Sequence, residues 1–257
     1  MKHSPATKPK SSIKLGDVFR IGEHILGCGD ARDIEFVNRV VGKEKIALLL
    51  TDPPYGVEFV ESKEAFGNIK VKKKILNDGI VSESQYAQFT KDWLVPIVPH
   101  LAKKNAAYIF NSDKMLFALR DGMERSEIKF AQMLIWIKNH IVVGRKDYLP
   151  QHELIAYGWH GTHEFKKAKD KSILFYPKPN KSPLHPTQKP VGLLCRLVLN
   201  SSNIGDVVFD SFAGSGSTGI AAEQCKRKSI LIERDEEYCQ TIIDRFEKQF
   251  GLKATKV

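Results

Sequence analysis

"VVFDSFAGSGSTGIAAEQ", residues 207–224, decides how this chain folds. A short apolar run ending in Asp210 leads into Gly214, Gly216 and Gly219, spaced G-x-G-x-x-G, and then into residues of helical composition. Glycine lets a backbone approach a ligand closely, and the helix start behind it carries a partial positive charge. The spacing alone is a weak signal; its place between a strand pattern and a helix pattern makes it a nucleotide-binding candidate. No Gly-Lys-Ser/Thr follows, so it is not a P-loop. A second apolar run, "KSILIE" (228–233), ends in Glu233, nineteen residues after Gly214. A carboxylate at that distance is placed to accept hydrogen bonds from ribose hydroxyls. A tight strand-to-helix turn and a surface acid would look similar locally. The order strand, glycines, helix, acid favours the ligand site.

Outward from this stretch, short apolar runs alternate with helical patterns. "KIALLL" (45–50), "AAYIF" (106–110), "AQMLIWI" (131–137), "ELIAYGW" (153–159) and "GDVVFD" (205–210) have the length and content of buried strands. Helical spacing marks "SESQYAQFTKDWLVPIVPHL" (82–101), with Ser82 or Ser84 as N-cap and Pro96 as its end. It also marks 113–123, 187–202 with Pro190 near its start, 217–226 and 235–250. The alternation predicts an α/β fold with a mainly parallel central sheet covered by helices on both faces. Residues 1–14 read as a loose tail before a single domain at 15–257. Two stretches resist the alternation: the polar, basic 56–79, and 160–186, rich in Lys and Pro. Long loops in a compact domain are functional or disordered.

The 257 residues carry 42% hydrophobic and 27% charged side chains, the balance of an ordinary globular chain. No apolar run approaches the ~20 residues of a membrane helix. The formal charge of +10 favours a polyanionic partner. Its lysines crowd in "KVKKK" (70–74), "GRKDY" (144–148) and "FKKAKDK" (165–171), outside the apolar-periodic segments. Cys28, Cys195, Cys225 and Cys239 form no C-x-x-C pair and read as reduced thiols. His160 and His163 stand close in "WHGTH" but lack the partners of a zinc site, so no metal is expected.

After the strand "IALLL" comes "TDPPY" (51–55). Pro53 and Pro54 stiffen the turn and remove its backbone donors. Asp52 and the Pro53 carbonyl then form two close acceptors that match the two N–H groups of an exocyclic amine. Such a nitrogen on adenine or cytosine is a poor nucleophile, because its lone pair is delocalised into the ring. Holding both hydrogens favours a pyramidal nitrogen with an available pair. Tyr55 offers a face for stacking a base, and a base inside a duplex would first have to be flipped out. A structural turn with Asp52 as N-cap fits these residues about as well. Asp30, in "LGCGDARD", precedes a helical pattern and by itself reads as an N-cap.

"TDPPY" before "DSFAGSGST", with "HPTQKP" (185–190) between them, resembles the S-adenosylmethionine-dependent DNA amino-methyltransferases. The order is similar to that of the circularly permuted β group, in which the catalytic motif precedes the cofactor motif. The likeness runs from about Leu15 to Gly251, and "LGDVFRIGEHILGCGDARD" and "IWIKNHIVVGRKDYLPQHELIAYGW" resemble phage- and prophage-type members. The resemblance implies a Rossmann-like methyltransferase fold, S-adenosylmethionine as cofactor and double-stranded DNA as partner. It implies a cytoplasmic, bacterial or prophage-encoded protein that pairs as a homodimer. It gives Asp52, Pro53, Pro54 and Tyr55 the catalytic role. Asp210, Phe212, Gly214, Ser215 and Gly216 would surround the methionine part of the cofactor, with Glu233 and Arg234 at the ribose. Asp30 and Ala31 would meet its adenine edge, which replaces the cap reading of Asp30, and Lys189 would belong to the segment closing over it. Lys72, Lys73, Lys74, Arg145, Lys146 and Tyr148 would touch DNA, with a short target-recognition region near 140–186. The family usually has Pro where Ser211 stands. The implied reaction is methylation of adenine N6, with cytosine N4 as the alternative. A protein-glutamine enzyme would carry Asn-Pro-Pro-Tyr after its glycine loop, and an idle binding module would not need Asp52 and Tyr55 intact.

Overall fold

The computed structural model describes residues 12–55, 82–141, 147–166, 170–177 and 188–257. Basic loop 56–79, with Lys72, Lys73 and Lys74, lies outside the described residues, as do Arg145, Lys146 and the first half of "HPTQKP". One ten-stranded sheet organises the rest. Its strands are β1 (Val18–Ile21), β2 (His24–Cys28), β3 (Ile46–Thr51), β4 (Leu101–Asn111), β5 (Ile128–Ile137), β6 (His152–His160), β7 (Ile173–Phe175), β8 (Val207–Asp210), β9 (Lys228–Glu233) and β10 (Ala254–Lys256). The order is β10-β1-β2-β9-β8-β3-β4-β6-β5-β7. The central five, β2-β9-β8-β3-β4, are parallel. Antiparallel pairs extend them: β6 against β4 and β5 on one side, and β1 against β2 and β10 on the other. The α/β layering expected from the alternation is therefore present, with antiparallel flanks that the apolar runs did not announce.

The period-2 alternation of each strand sorts its residues between two cores. Leu49, Ala107 and Ile109 face helices α1 (Ile34–Val41), α2 (Glu83–Leu94) and α3 (Leu116–Arg125). Leu48, Leu50, Tyr108 and Phe110 face α4 (Val191–Ser201) and α5 (Ser217–Gln224). A third cluster joins α6 (Glu236–Phe250), through Cys239, Ile242 and Phe246, to Ile21, Leu26 and Ile13. Ile13 is only 3% exposed, so packing begins two residues before Leu15.

Local signals set the ends of these helices. Ser82 caps α2 in a reciprocal capping box with Gln85, so the cap is Ser82 and not Ser84. That helix stops at Leu94, before Pro96. Asp33, and not Asp30, caps α1, accepting from the Phe36 N–H, which leaves Asp30 for another task. The Lys/Pro-rich stretch 160–186 holds a strand after all: β7 pairs in parallel with β5, with Leu174 buried. Its other two side chains, Ile173 and Phe175, are exposed. Of the paired histidines, His163 stacks on Trp159 with centroids 3.6 Å apart. His160 Nδ1 lies 3.0 Å from the Glu127 carbonyl. Among the described residues no cluster of three metal-ligating side chains occurs, and no helix is long and apolar enough to cross a membrane.

Gly158 marks the tightest crossing in the sheet. A Cβ there would lie 1.9 Å from the Lys129 carbonyl oxygen of the neighbouring strand. Backbone cannot yield as a flexible side chain does. Gly158→Ala should therefore lose at least about 3 kcal/mol, the upper end of overpacking. A urea titration reads it; an unmoved midpoint would show that β5 and β6 separate freely.

Candidate active site

The parallel strands end side by side, and each end carries a polar group. Asp30 lies two residues beyond β2, Glu233 closes β9, Asp210 closes β8, Asp52 follows β3 and Asn111 closes β4. Open α/β sheets bind ligands at this carboxyl edge. A row of buried or half-buried acids there is destabilising unless each is paired.

The glycine loop is built for close approach. Gly214 and Gly216 have φ of 53° and 80°, where glycine alone is free of strain. A Cβ on Gly216 would also press to 2.9 Å from Ile242 Cγ1. The loop is held from both sides. The Gly214 N–H donates to Glu233 Oε2 at 2.7 Å, and the Asp235 N–H donates to Oε1 at 2.8 Å. Behind it, the buried Arg245 guanidinium of α6 donates to the Ser215 carbonyl. Burial lifts the Glu233 carboxyl to about 7, against the pull of those two N–H donors. Asp30 is gripped by Arg32: its Oδ1 accepts from the Arg32 N–H and Nε, both at 3.0 Å, and its Oδ2 from a guanidinium nitrogen at 2.7 Å. Arg234 stands 3.7 Å away. Burial works to raise the Asp30 carboxyl, but the Arg32 hydrogen bonds hold it below the usual range.

Asp210 is turned inward. It is 3% exposed, and its Oδ1 accepts from Thr51 Oγ1 at 2.7 Å and from the Phe212 N–H at 3.0 Å. It thus braces the strand that carries Asp52 against the loop that carries the glycines. Burial raises its carboxyl to about 6. Phe212 packs edge-on against Trp93 at 5.4 Å, while Ala31 and Ser215 are buried.

Asp52 sits in a chain of alternating charge. Tyr55 Oη donates to its Oδ1 at 2.6 Å, and Lys189 Nζ donates to its Oδ2. Lys189 also lies 3.3 Å from Tyr55 Oη and 3.1 Å from Glu153 Oε2, and the other Glu153 oxygen pairs with Lys138 at 2.6 Å. Burial raises the Asp52 carboxyl despite Lys189, and lifts the Tyr55 phenol far above its usual range. Burial opposes the charge on Lys189, but Asp52 and Glu153 outweigh it and hold the ammonium charged.

Residues 46–244 match the N6/N4 family model described as DNA methylase. This chain belongs to that family. The methylase is 25% identical over 235 residues to type II methyltransferase M.HpaI of Haemophilus parainfluenzae, covering 81% of this chain and 70% of the relative. It is 25% identical over 228 residues to type II methyltransferase M2.DpnII of Streptococcus pneumoniae, covering 80% and 84%. Its fold is that of the M1.HpyAVI–SAM complex, with a TM-score of 0.63, 24% identity and coverage of 86% and 98%. It is also that of the cytosine-N4-specific PvuII DNA methyltransferase, with a TM-score of 0.68, 17% identity and coverage of 86% and 85%. The methylase is an S-adenosylmethionine-dependent DNA methyltransferase of the N6/N4 family. Two adjacent carboxylates, Glu233 and Asp30, beside a glycine loop suit that cofactor's hydroxyls and amine.

Tyr148 is 92% exposed. Lys189, expected in the segment closing over the cofactor, pairs with Asp52, Tyr55 and Glu153. Lys138, Glu153, Thr51 and Arg245 were not singled out by the sequence. Lys138 and Glu153 had a visible signal: each is a lone charge at the end of an apolar run, and their strands pair with Trp136 opposite Glu153.

The raised Asp210 carboxyl makes a signed prediction. Because its folded value of about 6 lies above the ordinary one, its contribution to stability is full below about pH 4 and lost as pH rises through about 6. Asp210→Asn keeps an acceptor for Thr51 and Phe212 and removes the charge. Relative to the native protein the variant should gain roughly 1.4 kcal/mol per pH unit across that window. Urea midpoints between pH 4 and 8 measure the difference; a constant difference would mean the carboxylate bears no burial penalty.

Proposed function

We propose that this methylase transfers the methyl group to the exocyclic N6 of adenine in duplex DNA, after flipping the base out of the stack. The observation that carries the reading is the place of Asp52, half-buried at the end of β3 and braced beside the glycine loop through Thr51 and Asp210. When bound, S-adenosylmethionine supplies a methyl group on a positively charged sulfur. Asp52 and the Pro53 carbonyl accept the two amino hydrogens and leave the nitrogen pair free to attack. As the new N–C bond forms, the methyl–sulfur bond would break with its electron pair left on a neutral thioether, and the amino proton passes to Asp52. Lys189 and Tyr55 keep that carboxylate ionised and oriented until then, and the Tyr55 ring offers a stacking face. Pro54 stiffens the turn. Glu233, with Arg234, takes the ribose side of the cofactor, and Asp30, with Ala31, takes its adenine edge. Asp at the first motif position, as the resemblance has it in adenine enzymes, supports N6 over cytosine N4.

Asp52→Ala should lower methyl transfer by about 10²–10⁴-fold, the share of a positioned proton acceptor. S-adenosylmethionine binding by calorimetry should be unchanged. Substantial residual turnover would remove Asp52 from the reaction. With the native protein, methylated DNA digested to nucleosides and separated with mass detection should yield N6-methyladenine; label in methylcytosine alone would give the cytosine reading.

Lys72, Lys73 and Lys74, with Arg145, Lys146 and Tyr148 as further candidates, belong to the same proposal as phosphate-binding groups. Neutralising the three lysines should weaken binding to every duplex and flatten its salt dependence by about one unit of slope for each phosphate no longer neutralised. An unaltered slope would leave these lysines without a DNA role.

A further inference from the structure

The charged chain that ends on Asp52 does not stop at Lys189. Lys138 follows β5, Glu153 is the second residue of β6, Lys189 precedes α4 and Asp52 follows β3, so four separate segments deliver one string of alternating sign. Side-chain exposure is 4% for Lys138, 17% for Glu153 and 7% for Lys189. Groups this deeply buried lose much of their hydration, offset only by good mutual geometry. Among the described residues, the Asp52 carboxylate accepts from Tyr55 and Lys189. Glu153 therefore bears on its pose through Lys189 and, at 3.5 Å, through Tyr55.

The geometry points to Glu153 as a positioning residue for methyl transfer: it anchors Lys189 on the side away from the reaction and so fixes how Asp52 meets the target amino group. A carboxylate offers about four lone-pair sites. Tyr55 and Lys189 take one on each oxygen, and the amino group needs another. Lysine is a compact charge on a flexible stem with three donors. With Asp52 as its single anion it would settle across both oxygens and cover the sites the base requires. Glu153 Oε2, 3.1 Å from Nζ, draws the ammonium to one oxygen. Lys138, 2.6 Å from Oε1, in turn stops Glu153 from swinging toward solvent, and the Trp136 ring lies 5.3 Å beneath the Lys138 ammonium.

This inference rests on the role given to Asp52 above, and the test separates the two. Transfer from tritiated S-adenosylmethionine to unmethylated bacterial genomic DNA is measured for each variant. Glu153→Gln should lower kcat roughly 10- to 100-fold, the effect of a misplaced reacting group. The dissociation constants for S-adenosylmethionine and DNA should stay at native values, a split that general unfolding would not produce. Glu153→Gln/Lys189→Met should be no slower than Lys189→Met alone, because Glu153 acts through Lys189. Should Glu153→Gln not fold, Lys138→Met/Glu153→Gln removes the pair together, leaves one fewer unpaired buried charge, and should show the same loss of kcat. Native kcat in the folded variant overturns the inference, as does a loss that multiplies with Lys189→Met, or one matched by weakened cofactor or DNA binding. Asp52→Ala in the same assay reports on the parent reading: turnover retained there removes that reading, whereas Asp52→Ala inactive beside a fully active Glu153→Gln removes this inference alone.

Discussion

One buried hydrogen bond holds the two halves of the site together. Thr51 Oγ1 donates to Asp210 Oδ1 at 2.7 Å, and the Phe212 N–H donates to the same atom. The first donor ends the strand that delivers Asp52; the second opens the loop that delivers Gly214 and Gly216. Without that carboxylate, β3 and β8 would still pair through their backbones, but the proline turn and the glycine loop would lose the acceptor they share. The arrangement keeps a charge in a place that disfavours it, and the raised pKa is the measure of that conflict. Conflict of this kind is characteristic of sites and uncommon in ordinary cores.

The same balance recurs across the carboxyl edge. Glu233 commits both oxygens to backbone donors, Asp30 is clasped by Arg32, and Asp52 is shared between Tyr55 and Lys189. Each acid is held by hydrogen bonds from named neighbours, of which Lys189 is buried and Arg32 is exposed. Preorganisation of this sort means that little has to move before a ligand or base meets its partner.

Much of this was legible beforehand. Alternating apolar runs and helical patterns located β3, β4, β5, β6, β8 and β9, and Ser82 and Pro96 bounded α2 for the reasons their chemistry suggests. The glycines and Glu233 fell together because one strand–loop–helix unit and the next strand carry them. What stayed hidden depends on register across distant segments. Lys189 reads as part of a segment closing over the cofactor, and its pairing with Asp52 and Glu153 shows only once the segments before α4, after β3 and at the start of β6 are assembled. Glu153 and Lys138 read as ordinary strand ends until β5 and β6 pair. The hairpin β1–β2 and strand β10 are short and flanked by glycine, so their periodicity is too brief to stand out.

The strand order also has a consequence for how the protein is made. β2 and β3 are never neighbours: β9 and β8 lie between them, and both come from the last quarter of the chain. The His24–Ser229 hydrogen bond spans 205 positions, and synthesis runs at ~5–20 residues per second. For roughly ten to forty seconds on the ribosome, the β1–β2 hairpin and the β3 edge wait with apolar faces uncovered. The glycine loop closes that gap as one of the final acts of folding, so a nascent chain acquires its cofactor edge and its protection from wrong strand partners at the same moment.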